Sequence, residues 1–251
     1  MANTKRVDKE LFRDEHYLGK PADDSDRIIT RRIEILEYFE GFFDKSLSLV
    51  EAGCGNGATI NRIAGRFSEA LGIDLFDYSE PFAQSKASLK AENSRFLQMD
   101  LEQKLPDKKF DRLISFEVIE HLKNEDSVKQ YAELLNPGGL AAVSVPNKWW
   151  IFETHGAKLP LLPWNRVPFF SWLPDFIHSR YANARIYTRK RIVRLLEESG
   201  FEVLDSFYIT APLDVLQPGK LKDFLVKNIF KDNTTTIPFL STSIMVFARK
   251  K

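Results

Sequence analysis

The residues of this chain whose types and spacing could do chemistry are few. They are Gly53, Gly55 and Gly57 at every second position, Asp74 closing a short apolar run, and the segment Glu117-Val-Ile-Glu120-His121. Glycine supplies positive φ and removes the Cβ, and the amides of a first helical turn carry partial positive charge. A turn from Gly53 to Gly57 can therefore seat something polar or anionic against bare backbone. An acid at the end of the following strand, Asp74 with Leu75 after it, can accept both hydroxyls of a ribose. If residue 117 opens a helix, Glu117, Glu120 and His121 stand at i, i+3 and i+4 and share one face, where the imidazole can act as general base on a hydroxyl. The plainer alternative has both glutamates solvated at a helix start, favourable to its dipole, with His121 a packing residue.

Positioning these groups requires strands that end at them. Leu47, Leu49 and Val50 run into the glycine turn, and the amphipathic Ile60, Ile63, Ala64 and Phe67 follow it, so the stretch reads strand, tight turn, helix. Upstream, Ile28, Ile29, Ile33, Ile35, Leu36, Phe39 and Phe43 recur at roughly helical spacing from Ser25 to near Gly41. Downstream, helix is expected over 78–92, 124–135, 188–199 and 213–230, and strand over 71–76, 95–100, 110–116, 140–145, 201–209 and 242–248. Such alternation builds an α/β, doubly wound, mostly parallel sheet with helices on both faces, and ligands bind at the carboxyl ends of its strands. From the residues alone, a dinucleotide-binding domain and an S-adenosylmethionine domain both remain open.

The turn is Glu51-Ala-Gly53-Cys54-Gly55-Asn-Gly57, not Gly-x-Gly-x-x-Gly. It resembles the first motif of the class I S-adenosylmethionine-dependent methyltransferases, and the later motifs fall in order. The resemblance implies a Rossmann-like methyltransferase fold with seven strands, the last antiparallel to the rest. It implies that the Gly53 to Gly57 turn, with Cys54, seats the methionine part of S-adenosylmethionine and that Glu51 is an indirect partner of its amino group. By the same token Asp74 and Leu75 hold the ribose, Asp100 and Leu101 flank the adenine, and residues 115–117, with Phe116, line the floor. The Glu-x-x-Glu-His pattern is similar to that of the ubiquinone-biosynthesis O-methyltransferases and the small-RNA 3′-terminal 2′-O-methyltransferases. That similarity implies a divalent metal (Mg²⁺, Mn²⁺ or Zn²⁺) on Glu117, Glu120 and His121, and carboxylates with one imidazole suit such an ion. Relatives often carry a histidine about five residues before the threonine of the next helix, where this chain has Asn183, a weaker oxygen ligand.

Between the fifth strand and that helix the periodicity breaks. Residues 146–187 hold all four tryptophans, Trp149, Trp150, Trp164 and Trp172, and a segment so long is expected to be functional. In the family it forms the acceptor-binding lid. Nine basic residues lie between Lys148 and Arg194 against Glu153 and Asp175. Aromatics with cations suggest a small-molecule or lipid-like acceptor bearing an anionic group, presented at a membrane surface that the lid touches peripherally. A satellite core with an exposed basic helix face is the other reading. His155 and His178 in the lid are further candidate ligands or bases, ranked below His121.

The chain has 251 residues, 43% of them hydrophobic, enough for one domain, with a polar N-terminal extension over residues 1–24. Its net charge of +1 gives no global field toward nucleic acid, and no obligate protein partner is evident. A single cysteine excludes a disulfide framework. No run approaches the ~18 apolar residues of a membrane span, and a cytoplasmic location is the default. The expected activity is methyl transfer to a hydroxyl oxygen. N- or C-methylation, 2′-O-methylation of RNA and a non-catalytic cofactor-binding domain are the alternatives.

Overall fold

The computed structural model describes residues 26–156, 167–213 and 216–251. The expected N-terminal extension and, within the lid, Trp164 lie outside them.

Helix α1 (Asp26–Tyr38) turns Ile29, Ile35 and Leu36 inward, and strand β1 (Ser48–Ala52) is buried along its whole length. Helix α2 (Ile60–Ile63) is one turn that tightens into a 3₁₀ turn at Ala64–Arg66, shorter than its apolar pattern suggests. Then come β2 (Glu69–Asp74), α3 (Ser79–Leu89), β3 (Ser94–Gln98) and β4 (Phe110–Phe116). The helix expected over 124–135 divides into a 3₁₀ turn, Glu125–Val128, and α4 (Lys129–Glu133). Glu102 explains the irregular start, since its carboxylate accepts from Lys123 N, Asn124 N and Ser127 Oγ and holds that turn against another loop. Strand β5 (Leu135–Pro146) is followed by the lid segment, which contains α5 (Asp175–Tyr181). Helix α6 (Arg189–Glu198) starts at Thr188, whose side chain accepts from Arg191 N, as its capping position requires. Strand β6 (Phe201–Thr210), α7 (Lys220–Asn228), β7 (Thr234–Thr235) and β8 (Ser241–Lys250) complete the chain.

The sheet order is β3-β2-β1-β4-β5-β8-β6-β7. The first five strands pair in parallel, and β8 inserts antiparallel between β5 and β6, as expected of the last strand. The eighth strand is the two-residue β7, an edge rung on β6. Alternate residues of one strand feed opposite faces. Val50 and Leu113 join one apolar cluster with Tyr131 and Ile192, whereas Leu49 and Ile114 join the other with Ile60 and Phe82. Strand β1 has β2 on one side and β4 on the other, so the connections leaving β1 and β4 diverge there and open a cleft.

The ends of the lid segment are stapled together. Lys148 N donates to Tyr187 O at 2.8 Å and Tyr187 N to Pro146 O at 3.0 Å. Trp150 packs in a separate apolar cluster with Leu213 and Phe230, which α7 joins through Leu225 and Val226. Arg31 ties α1 to this body by donating to the carbonyls of Thr210, Ala211 and Phe230.

Candidate active site

A cavity of about 310 Å³ opens at the carboxyl ends of β1, β2 and β4. Gly53, Cys54 and Gly55 form one wall, Asp74, Leu75, Asp100 and Leu101 another, and Glu51 and Phe116 also reach it. Gly53 N and Cys54 N donate to Ile73 O at 2.8 and 3.1 Å, which locks the turn onto the neighbouring strand. Gly53 has φ +75°, and a Cβ there would lie 2.3 Å from Val118 Cγ2. Gly57 lies behind the wall at φ +79°, where a Cβ would come within 2.6 Å of Asn61 and Phe82. Both positions therefore need glycine for conformation and for space.

Charge is buried around this turn. The Asp74 carboxylate accepts from Gly55 N at 2.9 Å and Phe76 N at 3.0 Å, and burial raises its pKa. Asp100 accepts from Glu102 N at 2.9 Å and from the Gln103 side chain at 2.7 Å. Glu51 is pushed up to about 8 by burial, which the bond from Ile60 N and the charge of Arg32 only partly offset. Arg32, from α1, lines the cavity and was missed in the sequence reading. A signal existed, because Arg32 falls on the same helical stripe as Ile29 and Leu36, where an arginine must be buried with a purpose.

The second constellation is assembled differently from expectation. Residues 119–121 form a 3₁₀ turn rather than the start of an α-helix, and Glu117 precedes it with φ +58°. Glu117 therefore does not share a face with Glu120 and His121. Its carboxylate sits 3.3 Å from Arg32 Nη2 and accepts from Ser144 Oγ at 2.9 Å. The groups that do converge are Glu120, His121 and His155, with one ligand atom from each lying within 4.8 Å of the others. Glu120 is wholly buried and neither carboxylate oxygen has a hydrogen-bond partner, while His155 Nε2 and His121 Nε2 stand 3.3 and 3.9 Å from its Oε1. His121 and His155 also line the cavity. Burial disfavours a charged His155 ring, but the carboxylate of Glu120, with Glu117 and Glu153 beyond it, outweighs this and raises the ring to about 9. Without a cation the proton on His155 offsets the Glu120 charge at 3.3 Å; the same buried carboxylate with two imidazoles is a donor set that fits a divalent cation, which would displace that proton.

The lid supplies His155 and then holds it. Its Nδ1 meets Thr154 Oγ1 at 2.9 Å, its N–H donates to Glu153 Oε1 at 3.2 Å, and its carbonyl accepts from Asn183 Nδ2 at 2.9 Å. Asn183 thus serves the backbone of the His155 loop. His178 is buried against Glu153, Nε2 to Oε2 2.8 Å, and braces the same loop from behind. Arg185, also buried, donates to the carbonyls of Glu120, Leu122 and Lys123, so the returning arm of the lid grips the turn that carries Glu120 and His121. Arg191 binds Glu125 with both carboxylate oxygens at 2.8 and 2.9 Å. Arg185 is thus committed to the interior, and half-buried Arg191 and Lys148 are committed to Glu125 and Asp175. Arg189, Lys190 and Arg194 instead border a shallow groove beside Trp149 and Tyr208.

A family model described as a methyltransferase domain matches residues 24–206. A probable S-adenosylmethionine-dependent methyltransferase of Mycolicibacterium smegmatis is 30% identical over 196 residues, covering 73% of this chain and 65% of that one. A ubiquinone biosynthesis O-methyltransferase of Rickettsia conorii is 25% identical over 129 residues, 50% of this chain and 45% of that one. The chain thus spans less than two thirds of the length of these two curated relatives. Among solved structures, an S-adenosylmethionine dependent methyltransferase from Mesorhizobium loti superposes with a TM-score of 0.55 at 16% identity, covering 88% of this chain and 98% of that one, a likeness of fold.

Proposed function

The chain belongs to the class I S-adenosylmethionine-dependent methyltransferases, and from that premise we propose that it methylates a hydroxyl oxygen of a small or lipid-like acceptor with the help of a divalent cation. The observation that carries the second half is the convergence of buried Glu120 with His121 and His155 at the edge of the cavity. S-adenosylmethionine, when bound, supplies a methyl group on a positively charged sulfur. A cation on Glu120, His121 and His155 would lower the pKa of an acceptor hydroxyl. Mg²⁺ and Mn²⁺ suit the carboxylate, and two imidazoles move the preference toward Zn²⁺ or Mn²⁺.

The protein's own residues do the rest. The Gly53 to Gly57 turn receives the methionine part, Asp74 and Leu75 the ribose, and Asp100 with Leu101 the adenine. Glu51 and Arg32 place a carboxyl group and a guanidinium beside that turn. Arg32 also pairs with Glu117, which lines the same cavity. Ile29 and Arg32 of α1 contribute to the lining of the cavity. With a cation bound, His121 would be one of its ligands and the acidified hydroxyl would pass its proton to solvent; without one, His121 is the base that takes that proton directly. The lid, residues 146–187, contributes His155 to the cavity, and the rings that line it, Phe76, Tyr78 and Phe116 among them, favour an acceptor with planar or apolar surface, while the lid's cations are the ground for an anionic group on it. The compartment is the cytoplasm. No helix among the described residues is long and apolar enough to cross a membrane.

Metal analysis of protein purified without chelator, followed by methyl-transfer assays on catechol-type acceptors with and without EDTA, tests this reading. The expected result is about one bound cation and transfer that EDTA abolishes and Mn²⁺ or Zn²⁺ restores. Full activity in EDTA would return the chain to metal-free transfer with His121 as base, or to N- or C-methylation.

A further inference from the structure

Eleven large apolar side chains are exposed among the described residues, and eight of them fall in just two segments, 169–176 and 221–239. A folded chain scatters such residues unless a surface is meant to be covered. The two segments meet, since the Trp172 ring lies 5.3 Å from Phe239 and 4.9 Å from Phe169. Helix α7 belongs to the same body. It packs on the Trp150 and Phe230 cluster through Leu225 and Val226 and has no buried residue.

At 100° per residue, Leu225, Lys222 and Val226 point inward. The exposed arc then runs Lys227, Lys220, Phe224, Asn228 and Leu221, so that Phe224, 58% exposed, and Leu221, 68% exposed, lie to one side of a lysine pair. A face that sets exposed Phe224 and Leu221 beside a lysine edge does not suit water alone. It is the composition of a helix that lies in a bilayer interface. Charge favours the same occupant. Between residues 220 and 232 four lysines stand against two aspartates, a local excess of two on a chain whose total is +1.

We infer that the outward face of α7, continued by Phe239 and Trp172, docks the protein on an anionic membrane surface. Phe224 and Leu221 enter the headgroup boundary, and Lys220 and Lys227 meet lipid phosphates. The inference deepens the lipid-like acceptor reading and rests on it for its purpose, yet its test needs no turnover.

Flotation of the full chain with phosphatidylglycerol-containing vesicles and with phosphatidylcholine vesicles reads the contact directly. The expected results are binding to the anionic vesicles about tenfold or more above the neutral ones, weakened by salt, and a loss of about tenfold in Phe224→Asp and in Leu221→Asp. The double reversal Lys220→Glu with Lys227→Glu should remove the preference for anionic lipid. Unchanged S-adenosylhomocysteine affinity by calorimetry certifies that each variant is folded. Equal or absent binding to the two vesicle types, or binding that Phe224→Asp leaves intact, would overturn the inference. So would a dimer in light scattering that Phe224→Asp dissociates, which would assign the face to a second copy. Failure here with cation-dependent transfer intact would remove the docking surface alone, and the reverse outcome would remove the cation alone.

Discussion

The loop after β1 and the loop after β4 border one cavity but are built on opposite plans. The first uses bare backbone. Its ligand-facing surface comes from consecutive residues, and its glycines are needed because Gly53 and Gly57 sit at φ +75° and +79° with no room for a Cβ. The second uses side chains. Glu120 and His121 gain their third partner, His155, from a lid that enters much later in the chain, and Arg185 of that lid holds the carbonyls of Glu120, Leu122 and Lys123. A site made of backbone fails as a unit when one residue is changed. A site made of side chains fails in the step that each chain serves.

That contrast can be broken at its strongest point first. Gly53→Ala should abolish measurable affinity for S-adenosylhomocysteine, a loss of about 100-fold or more, and destabilise the fold by about 1–3 kcal/mol. Titration calorimetry with thermal unfolding checks both, and retained affinity would remove the backbone plan. Glu120→Gln should lower methyl transfer by about 100-fold and empty the cation site while leaving cofactor affinity unchanged. If cofactor affinity fell with it, the two loops would not be separable.

Arg185→Ala touches neither cofactor nor acceptor, so a smaller effect is expected. It should cost about tenfold in kcat with little change in KM for the cofactor, through loss of hydrogen bonds to buried carbonyls, each worth about 1 kcal/mol. Arg185→Lys should recover part of it. An effect on KM alone would make Arg185 a binding residue instead of a positioning one.

The smallest and most specific effect belongs to Glu51, which sits under the backbone turn. Its folded-state pKa of about 8 lies above the ordinary value of 4.5, so between those two values the folded protein keeps a proton that the unfolded chain has released. Stability of the cofactor-free protein should therefore fall as pH rises from about 4.5 to about 8, and Glu51→Gln should flatten that slope. Melting temperatures across the range should show the variant gaining a few degrees, about 2–5 °C, near pH 8 and nothing near pH 4. A parallel pH slope in the variant would assign the effect to another group.

The two loops were not equally legible in the sequence. Glu51, Gly53, Gly55, Gly57, Asp74 and Asp100 could be named from spacing and resemblance because each lies at the end of a strand with a readable apolar pattern, and all but Gly57 line the cavity. Strand β4 was also readable to the residue, Phe110–Phe116. The Glu117-to-His121 segment was legible as chemistry but not as geometry. A helical face was expected, and the positive φ of Glu117, with Arg32 and Ser144 as partners, turned that carboxylate elsewhere. Of the lid aromatics, Trp150 belongs to the satellite core that was the plainer reading, while Trp172 lies on the surface, and neither lines the cavity.

The amino-acid order by itself determined the sheet, the glycine turn and the acids at the strand ends, because local periodicity and backbone conformation are properties of neighbouring residues. Tertiary structure alone decided which glutamate meets which histidine, that Arg32 reaches the cavity from α1, and that Arg185 binds the turn before α4. These pairings join residues far apart in the chain, and their distances exist only once the lid has been stapled back at Tyr187 and the two apolar layers have closed on the sheet.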